Sequence, residues 1–181
     1  MKKRSGTMNR IYLRPLQMQD APQIHAATED EEIRYFTSTT ERFTVEAIEE
    51  FIARVATDRS RMDFAICHQE TDSLLGEVSL LNVDETNKRG AMRIMLHSLE
   101  DADKGYGTEA MLHFIRYVFE DVQLNRLELE VLAYNPRAKH VYEKVGFVME
   151  GIAREATFYN GRFVDEIHMS MLKSDYMRLY S

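Results

Sequence analysis

The glycine-rich stretch "DKGYGTEA" (103–110) is the part of the sequence best suited to chemistry. Gly105 and Gly107 permit backbone angles and close approaches that other residues avoid, and a helical pattern starts immediately after them. The first amides of a helix are unpaired donors at the positive end of its dipole. This loop could therefore bind a pyrophosphate through its backbone.

The same glycines also fit a simpler interpretation, in which they only permit a tight turn between a strand and a helix. The stretch has no GK[ST] ending and no third glycine at the spacing of a dinucleotide-binding loop. The pattern therefore favours neither a nucleoside triphosphate nor NAD. By itself it leaves the choice open between a phosphate loop and a turn.

Hydrophobic periodicity predicts the elements that must position this loop. Residues 106–122 place apolar side chains on one helical face and residues 125–133 alternate as a strand, which together give a crossover. Four extended segments precede it, at 10–16, 63–68, 74–83 and 90–97. The last three are separated by connections of hairpin length, so we expect an antiparallel meander.

Further helices and a closing hairpin complete the predicted domain. Asp20 and Thr44 each precede a helical pattern, and Pro136 and Gly146 are suited to open and close a short helix. Asn160–Gly161 joins two strand-like runs, which is a strong hairpin signal. We therefore predict one α+β domain over residues 8–181, with a mixed, mostly antiparallel sheet flanked by helices.

A second stretch, "NPRAKHVYEKVGF" (135–147), changes the interpretation of the glycine loop. The two stretches in this order, with a helix and a strand between them, resemble the GCN5-related N-acetyltransferase (GNAT) family, in particular its ribosomal-protein alanine and spermidine acetyltransferase branches. The resemblance extends from "YLRPL" through "LLGEVSL" to "GRFVDEIHMSML". It implies the acyl-CoA N-acyltransferase fold, in which two core strands splay apart, and acetyl-CoA as the acetyl donor.

The resemblance implies three groups of cofactor-binding residues. The first would present backbone amides to the pyrophosphate and consists of Lys104, Gly105, Tyr106, Gly107 and Thr108. The second would pair with the pantetheine through backbone groups and consists of Met95, Leu96 and His97. The third lies in the second stretch and consists of Asn135, Ala138, Tyr142 and Lys144. Tyr142 is also implied as the general acid for the departing thiolate, the alternative being a core aromatic residue.

The sequence departs from the family pattern at the start of the loop. Ala102 and Asp103 stand where the pattern usually has Gln or Arg and often a glycine. Asp103 would place a negative charge near the bound phosphates and weaken their affinity. The backbone amides are unaffected by this change, so we still expect acetyl-CoA to bind.

The base that deprotonates the acceptor amine is left open among four residues, or a water chain that uses one of them. The four residues are Glu77, His97, Glu128 and Glu130. Four other histidines are scattered without metal-ligand spacing, so no metal site is predicted. They are His25, His68, His113 and His140.

Composition narrows the remaining classes. Acidic residues outnumber basic ones by 30 to 23, and the net charge of −7 disfavours nucleic acid as a partner. The single cysteine, Cys67, excludes an internal disulfide and favours a reducing, cytoplasmic setting. The sequence has no run of 18 apolar residues and no apolar signal segment, so we expect no membrane spanning or export. Residues 1–7 are expected to form a flexible extension.

These observations predict an acetyl-CoA-dependent N-acetyltransferase that acts by direct transfer on a primary amine. The acceptor is left open between a protein N-terminal amine and a polyamine or other small amine. Net acidity favours a cationic acceptor, whereas "TSTTERF" (37–43) is less acidic than a dedicated polycation site requires. The alternative is a non-catalytic module that senses acetyl-CoA, which the presence of Tyr142 disfavours. Homo-oligomerisation through the closing strands is left open.

Overall fold

The computed structural model describes residues 9–102 and 104–180, so the expectations for residues 1–7 and for Asp103 concern positions outside the described chain. Seven strands form a single sheet. They are β1 (Ile11–Pro15), β2 (Met62–His68), β3 (Leu74–Asp84), β4 (Arg89–Leu96), β5 (Arg126–Leu132), β6 (Val148–Tyr159) and β7 (Arg162–Leu172).

Seven α-helices accompany the sheet within these ranges. They are α1 (Ala21–Glu29), α2 (Glu31–Thr37), α3 (Val45–Val55), α4 (Leu99–Ala102), α5 (Tyr106–Arg116), α6 (Pro136–Val145) and α7 (Lys173–Tyr180). A 3-10 turn, Met18–Asp20, leads into α1, and a π-helical turn, Tyr117–Asp121, continues α5. No helix in the described part of the chain is long and apolar enough to cross a membrane.

The strands lie in the order β1, β2, β3, β4, β5, β7, β6, and all neighbours are antiparallel except β4 and β5. These two parallel strands pair only where Arg89–Ala91 meets Arg126–Glu128. Beyond this point they are unpaired, although β4 continues to Leu96 and β5 to Leu132. The splayed strands in a mostly antiparallel sheet confirm the fold that the sequence predicted.

One face of the sheet carries the main hydrophobic core. Phe114 and Ile115 of α5 are fully buried in one cluster with Val78, Leu80 and Leu127 of the strands. This packing fixes α5 against the sheet, and with it the glycine loop that precedes the helix. A smaller cluster joins α1 to α3 through Ala21, Ile24, Ile48 and Ile52.

The opposite face of the sheet is polar. Successive side chains of a strand point to opposite sides, so the residues between the core positions lie on this face. Strand register places Ser79 beside Arg93 and Glu130 beside His168 on this face. The Ser79 hydroxyl donates a hydrogen bond to Asp63 at 2.7 Å. The sheet therefore separates an apolar side from a side rich in charged groups.

Several helix ends follow the capping chemistry that the sequence predicted. The Thr44 hydroxyl accepts a hydrogen bond from the Ala47 amide at 3.2 Å, and Gly146 ends α6 with a φ of 106°. Asp20 precedes α1 as predicted, but its carboxylate does not cap the helix. Both of its oxygens instead accept hydrogen bonds from Arg14 at 2.7 Å, because a buried carboxylate is best satisfied by a bidentate arginine.

Three helices, α2, α4 and α7, were not predicted. Helix α2 is capped by the preceding Asp30, whose carboxylate accepts from the Glu32 and Ile33 amides at 2.9 and 3.0 Å. It has only seven residues, which is too short for a periodic signal to stand out. Helix α7 is mostly polar, and it contributes Tyr176 to the main core.

The close contact between β3 and β4 generates a stability prediction at Gly76. A Cβ at this position would lie 2.2 Å from the Met95 carbonyl oxygen, so any larger residue must push the two strands apart. We expect Gly76→Ala to lower the free energy of unfolding by roughly 1–3 kcal/mol in equilibrium urea denaturation. Gly151→Ala is the matched control, because a Cβ there has no heavy atom within 4 Å. Equal stability of the two variants would contradict this packing.

Candidate active site

A cleft of about 880 Å³ occupies the gap between the splayed strands. Consecutive residues of β4 line it, including Ile94, Met95 and Leu96. Because alternate side chains of a strand point to opposite faces, a cleft lined by consecutive residues passes through the sheet. It therefore connects the side that carries α5 and α6 with the polar side.

The glycine loop lies at the first of these two mouths. Gly105 has a φ of 83°, a conformation that favours glycine, and it directly precedes α5. No side chain in the described ranges caps this helix, so no described side chain occupies its first amides. Gly107 and Thr108 line the cleft, whereas the Tyr106 ring packs on His68 with centroids 5.6 Å apart. Lys104 is exposed and pairs with Asp101 at 2.9 Å.

The backbone of β4 presents some of its groups to the cleft. Met95 and Leu96 line it, but the His97 amide donates a hydrogen bond to the Leu75 carbonyl at 2.8 Å, towards β3. Amide directions alternate along a strand, so the Leu96 amide faces the gap. The His97 amide is therefore already bonded to β3, and a sequence does not reveal the phase of this alternation. The expected role of Met95, Leu96 and His97 in binding the pantetheine stays a prediction.

Helix α6 places three of the four expected residues at the cleft. Asn135, Ala138 and Tyr142 all line it, and the Asn135 side chain also caps the helix by accepting from the Ala138 amide at 3.1 Å. Lys144 does not line the cleft. It is exposed in the last turn of α6, and its expected contact with cofactor phosphates stays a prediction.

The surroundings of Tyr142 keep its phenol protonated. Its ring is partly buried and packs edge-to-face on Phe147 with centroids 6.1 Å apart. Within residues 9–102 and 104–180, no group hydrogen-bonds its hydroxyl. Burial raises the pKa of Tyr142 to about 12, because the phenolate is poorly solvated there. The phenol is therefore protonated at neutral pH.

The structure separates the four candidate bases into two pairs. Glu128 and Glu130 line the cleft on its polar side. Glu77 and His97 do not line it, and they bond each other, with 3.0 Å between His97 Nε2 and Glu77 Oε2. Only the first pair therefore lines the cleft directly, and the identity of the base, including a water chain that uses one of the four residues, stays open.

Strands β6 and β7 add three residues to this mouth that the sequence analysis missed. They are Glu150, Glu166 and His168. Their approach to β5 depends on the pairing of β7 with β5, which joins residues about forty positions apart. No local pattern encodes that pairing, although the alternation of "VDEIHMS" indicates which residues share a face.

Charge pairing at this mouth is uneven. Arg126 bonds both Glu150 and Glu128 at 2.7 Å, and these contacts with Arg126, helped by the Ser170 hydroxyl, lower the pKa of Glu150 to about 2. Glu166 instead accepts a hydrogen bond from the Thr157 hydroxyl. Among the described residues, no lysine or arginine pairs with Glu166.

Glu130, Glu166 and His168 offer ligand atoms that all lie within 4.8 Å of one another. Glu130 Oε1 lies 3.7 Å from His168 Nδ1. A cation could be held between such groups, but exposed acidic residues are often grouped without one. The expectation that the protein has no metal site stays a prediction.

Helix α2 covers the polar mouth with Ile33, Phe36, Thr37 and Ser38. It is held there through Tyr35, whose carbonyl accepts a hydrogen bond from the Tyr134 hydroxyl at 2.6 Å. The rings of these two tyrosines lie 4.7 Å apart. Tyr134 immediately precedes Asn135, so one contact ties the wall of the polar mouth to the start of α6.

The fold and this cleft define an acetyltransferase. Residues 10–148 match the family described as "Acetyltransferase (GNAT) domain", which is more than half of the chain. The chain therefore belongs to the GNAT family. It is an N-acetyltransferase that uses acetyl-CoA and an amine, which confirms the class predicted from the two sequence stretches.

Three relatives illustrate this membership. The probable N-acetyltransferase YjcK of Bacillus subtilis is 32% identical, over 91% of this chain and 95% of its own. The putative ribosomal N-acetyltransferase YdaF of Bacillus subtilis is 34% identical, but the match spans only 58% of this chain and 56% of that protein. The crystal structure of spermidine N-acetyltransferase from Vibrio cholerae in complex with CoA and spermine superposes with a TM-score of 0.87 and 26% identity, covering 94% of this chain and 99% of that one.

Gly107 gives a test of the cleft that separates folding from binding. A Cβ at Gly107 would lie 3.5 Å from Leu96 Cδ1, an ordinary contact distance, and alanine is the better helix former by up to about 1 kcal/mol. Gly107→Ala should therefore fold at least as stably as the wild type. Its added methyl group should obstruct the approach of phosphates to the amides, weakening CoA binding by about tenfold or more in isothermal titration calorimetry.

Gly151→Ala is again the control, and it should leave both the unfolding free energy and the CoA affinity unchanged. Unchanged CoA affinity in Gly107→Ala would show that the cofactor does not pass between α5 and β4.

Proposed function

We propose that the protein acetylates a primary amine of a small polyamine, and that acetyl-CoA enters from the α5–α6 side while the polyamine enters from the polar side. The observation that carries this proposal is the cleft through the sheet. One of its mouths has uncapped helix amides, and the other has carboxylates. Anionic phosphates and a cationic amine are matched to opposite mouths.

On the donor side, backbone groups bind most of the cofactor. The amides of Tyr106, Gly107 and Thr108 meet the pyrophosphate at the start of α5. The Leu96 amide faces the gap and donates to the acyl carbonyl or the pantetheine, so that it stabilises the oxyanion as the carbonyl is attacked. Tyr142 lies across the cleft on α6, where its hydroxyl reaches the sulfur.

Transfer of the acetyl group from the thioester to the amine needs no further reactant. The neutral amine attacks the thioester carbon, a C–N bond forms, and the C–S bond breaks as the tetrahedral intermediate collapses. The Tyr142 hydroxyl gives its proton to the departing thiolate, and the proton of the amine leaves through the carboxylates of the polar mouth. The products are an N-acetylamine and free CoA.

A polyamine suits the polar mouth better than a neutral amine does. Glu130 and Glu166 have no lysine or arginine partner within the described residues, whereas the neighbouring Glu128 and Glu150 share Arg126. A molecule with a second ammonium group can place it between these two carboxylates while its reactive amine reaches the thioester. The Vibrio cholerae relative, crystallised with CoA and spermine, supports this choice.

Tyr142→Phe tests the general acid. The substitution keeps the ring that packs on Phe147 and removes only the hydroxyl group that donates the proton, so kcat should fall by about 100-fold or more while CoA affinity is retained. Both can be measured, by release of free CoA at saturating substrates and by calorimetry. An equal loss of turnover and CoA affinity would mean that Tyr142 is a structural residue.

The pH profile gives a second test of the same residue. Burial raises the pKa of Tyr142 to about 12, so the phenol keeps its proton throughout the neutral and mildly alkaline range. The acceptor amine loses its proton as the pH rises. We therefore expect kcat/KM to increase with pH and to show no loss attributable to Tyr142 below about pH 10. A loss between pH 8 and 9 that disappears in Tyr142→Phe would contradict this assignment.

An acceptor panel tests the substrate class. Release of CoA should be fastest with spermidine and spermine, slower with a monoamine of similar length, and slowest with peptides that start with Ala or Ser. Glu130→Gln and Glu166→Gln should each raise the KM for spermidine by about tenfold with a smaller effect on the monoamine. Glu50→Gln makes the same charge change on the exposed side of α3 and is the control.

Preference for the peptides would replace the polyamine with a protein N-terminal amine as the acceptor. Binding of acetyl-CoA without turnover of any amine would overturn the proposed activity itself.

A further inference from the structure

Glu109 and Arg10 connect the glycine loop to the edge of the sheet. Glu109 lies in the first turn of α5, and its Oε1 accepts hydrogen bonds from the Arg10 amide at 2.7 Å and the Ile11 amide at 3.4 Å. Its Oε2 accepts from Arg10 Nε at 2.9 Å. One carboxylate thus joins the start of α5 to the start of β1 through three donors.

The Arg10 side chain extends this connection into the loop itself. Its Nη1 donates to the Lys104 carbonyl at 2.9 Å, and its guanidinium lies over the Tyr106 ring at 4.9 Å from the centroid. Its Nη2 would lie 3.4 Å from a Cβ placed on Gly105. Arg10 therefore contacts the Lys104 backbone and the Tyr106 ring, which lie on either side of Gly105.

Arg10 is itself fixed in place. Its carbonyl accepts a hydrogen bond from the Gln69 amide at 2.8 Å, in the turn that follows β2. The Tyr106 ring also packs on His68, the last residue of β2. The loop is consequently held against the ends of two strands and not only by its own helix.

A loop with two glycines needs such support. Glycine has more backbone freedom than any other residue, so amides beside it are poorly aligned unless other contacts hold them. Aligned donors bind an anion better because less order has to be created on binding. Neither Arg10 nor Glu109 lines the cleft, so both act on the loop from the side away from the cleft.

We propose that Glu109 and Arg10 are positioning residues for the pyrophosphate loop, an inference that rests on the proposed binding of acetyl-CoA at the amides of residues 106–108. Glu109 anchors the first turn of α5 to β1, and Arg10 fixes the loop backbone at Lys104. Arg10 also neutralises the carboxylate of Glu109, which would otherwise repel phosphates one helical turn away.

The test separates cofactor positioning from general stability. In Glu109→Ala the KM for acetyl-CoA should rise by about tenfold, because hydrogen bonds to a charged group are lost, while kcat at saturating acetyl-CoA and the KM for the amine stay unchanged. Glu109→Gln keeps an oxygen that can accept from the two backbone amides, so its rise in KM should be smaller. Arg116→Met, which removes an exposed ion pair with Glu120 at the other end of α5, is the control and should change neither constant.

A truncated donor distinguishes the proposed role from a purely structural one. S-acetylpantetheine has the reactive thioester but no pyrophosphate, so Glu109→Ala should use it as well as the wild type does. A loss of activity towards both donors would overturn the proposal, and so would an unchanged KM for acetyl-CoA. If the wild type itself bound no CoA in calorimetry, the proposed function would fail, which is a separate outcome from the failure of this inference.

Discussion

The structure depends on the incomplete pairing of two parallel strands, β4 and β5. They share only the pairs from Arg89–Ala91 to Arg126–Glu128, and alternate backbone groups of β4 up to Leu96 then face a gap, while the others pair with β3. Unpaired amides and carbonyls in a largely buried place cost free energy unless a ligand or water satisfies them. A cofactor with amide groups of its own can complete the missing ladder, as an added strand does in peptide recognition. The binding site is therefore a gap in the sheet, and the packing of the strands on either side of the gap keeps it open.

In the proposed function, the gap between β4 and β5 also determines how the two substrates meet. Because the gap passes through the sheet, the helices α5 and α6 line one mouth, and α2 with the β6–β7 hairpin lines the other. A thioester held in the gap is then open to attack from the far side. The hydrogen bond between Tyr134 and the Tyr35 carbonyl ties the second mouth to the start of α6, so the two walls are held at a fixed distance. Few residues beyond β4, β5 and these walls need to touch the reacting atoms.

Local patterns predicted much of this arrangement, and long-range pairing accounts for what they missed. The helix after Thr44, the cap at Gly146 and the Asn160–Gly161 turn all depend on neighbouring residues, and the structure contains each of them. The cleft-lining positions of Gly107 and Tyr142 match the expectation from the two quoted stretches. Three kinds of information were absent from the sequence: the direction of single amides, the position of a side chain around its helix, and strand register. The first explains why the direction of the His97 amide was not predicted, and the second why the exposed position of Lys144 was not. The third explains why the sequence analysis missed the acidic residues that β6 and β7 bring to the polar mouth.

The electrostatics explain how an acidic protein can hold a polyanionic cofactor. The net charge is −7, and the lysine of the glycine loop is occupied by Asp101. In the proposed mode of binding, oriented backbone dipoles at the start of α5 attract the phosphate, and their short-ranged field does not depend on net charge. Carboxylates can consequently accumulate at the polar mouth, which is the opposite end of the cleft from the amides at the start of α5. This dependence on dipoles gives the reason for the proposed role of Glu109 and Arg10, because dipoles attract an anion only while the loop keeps them aligned.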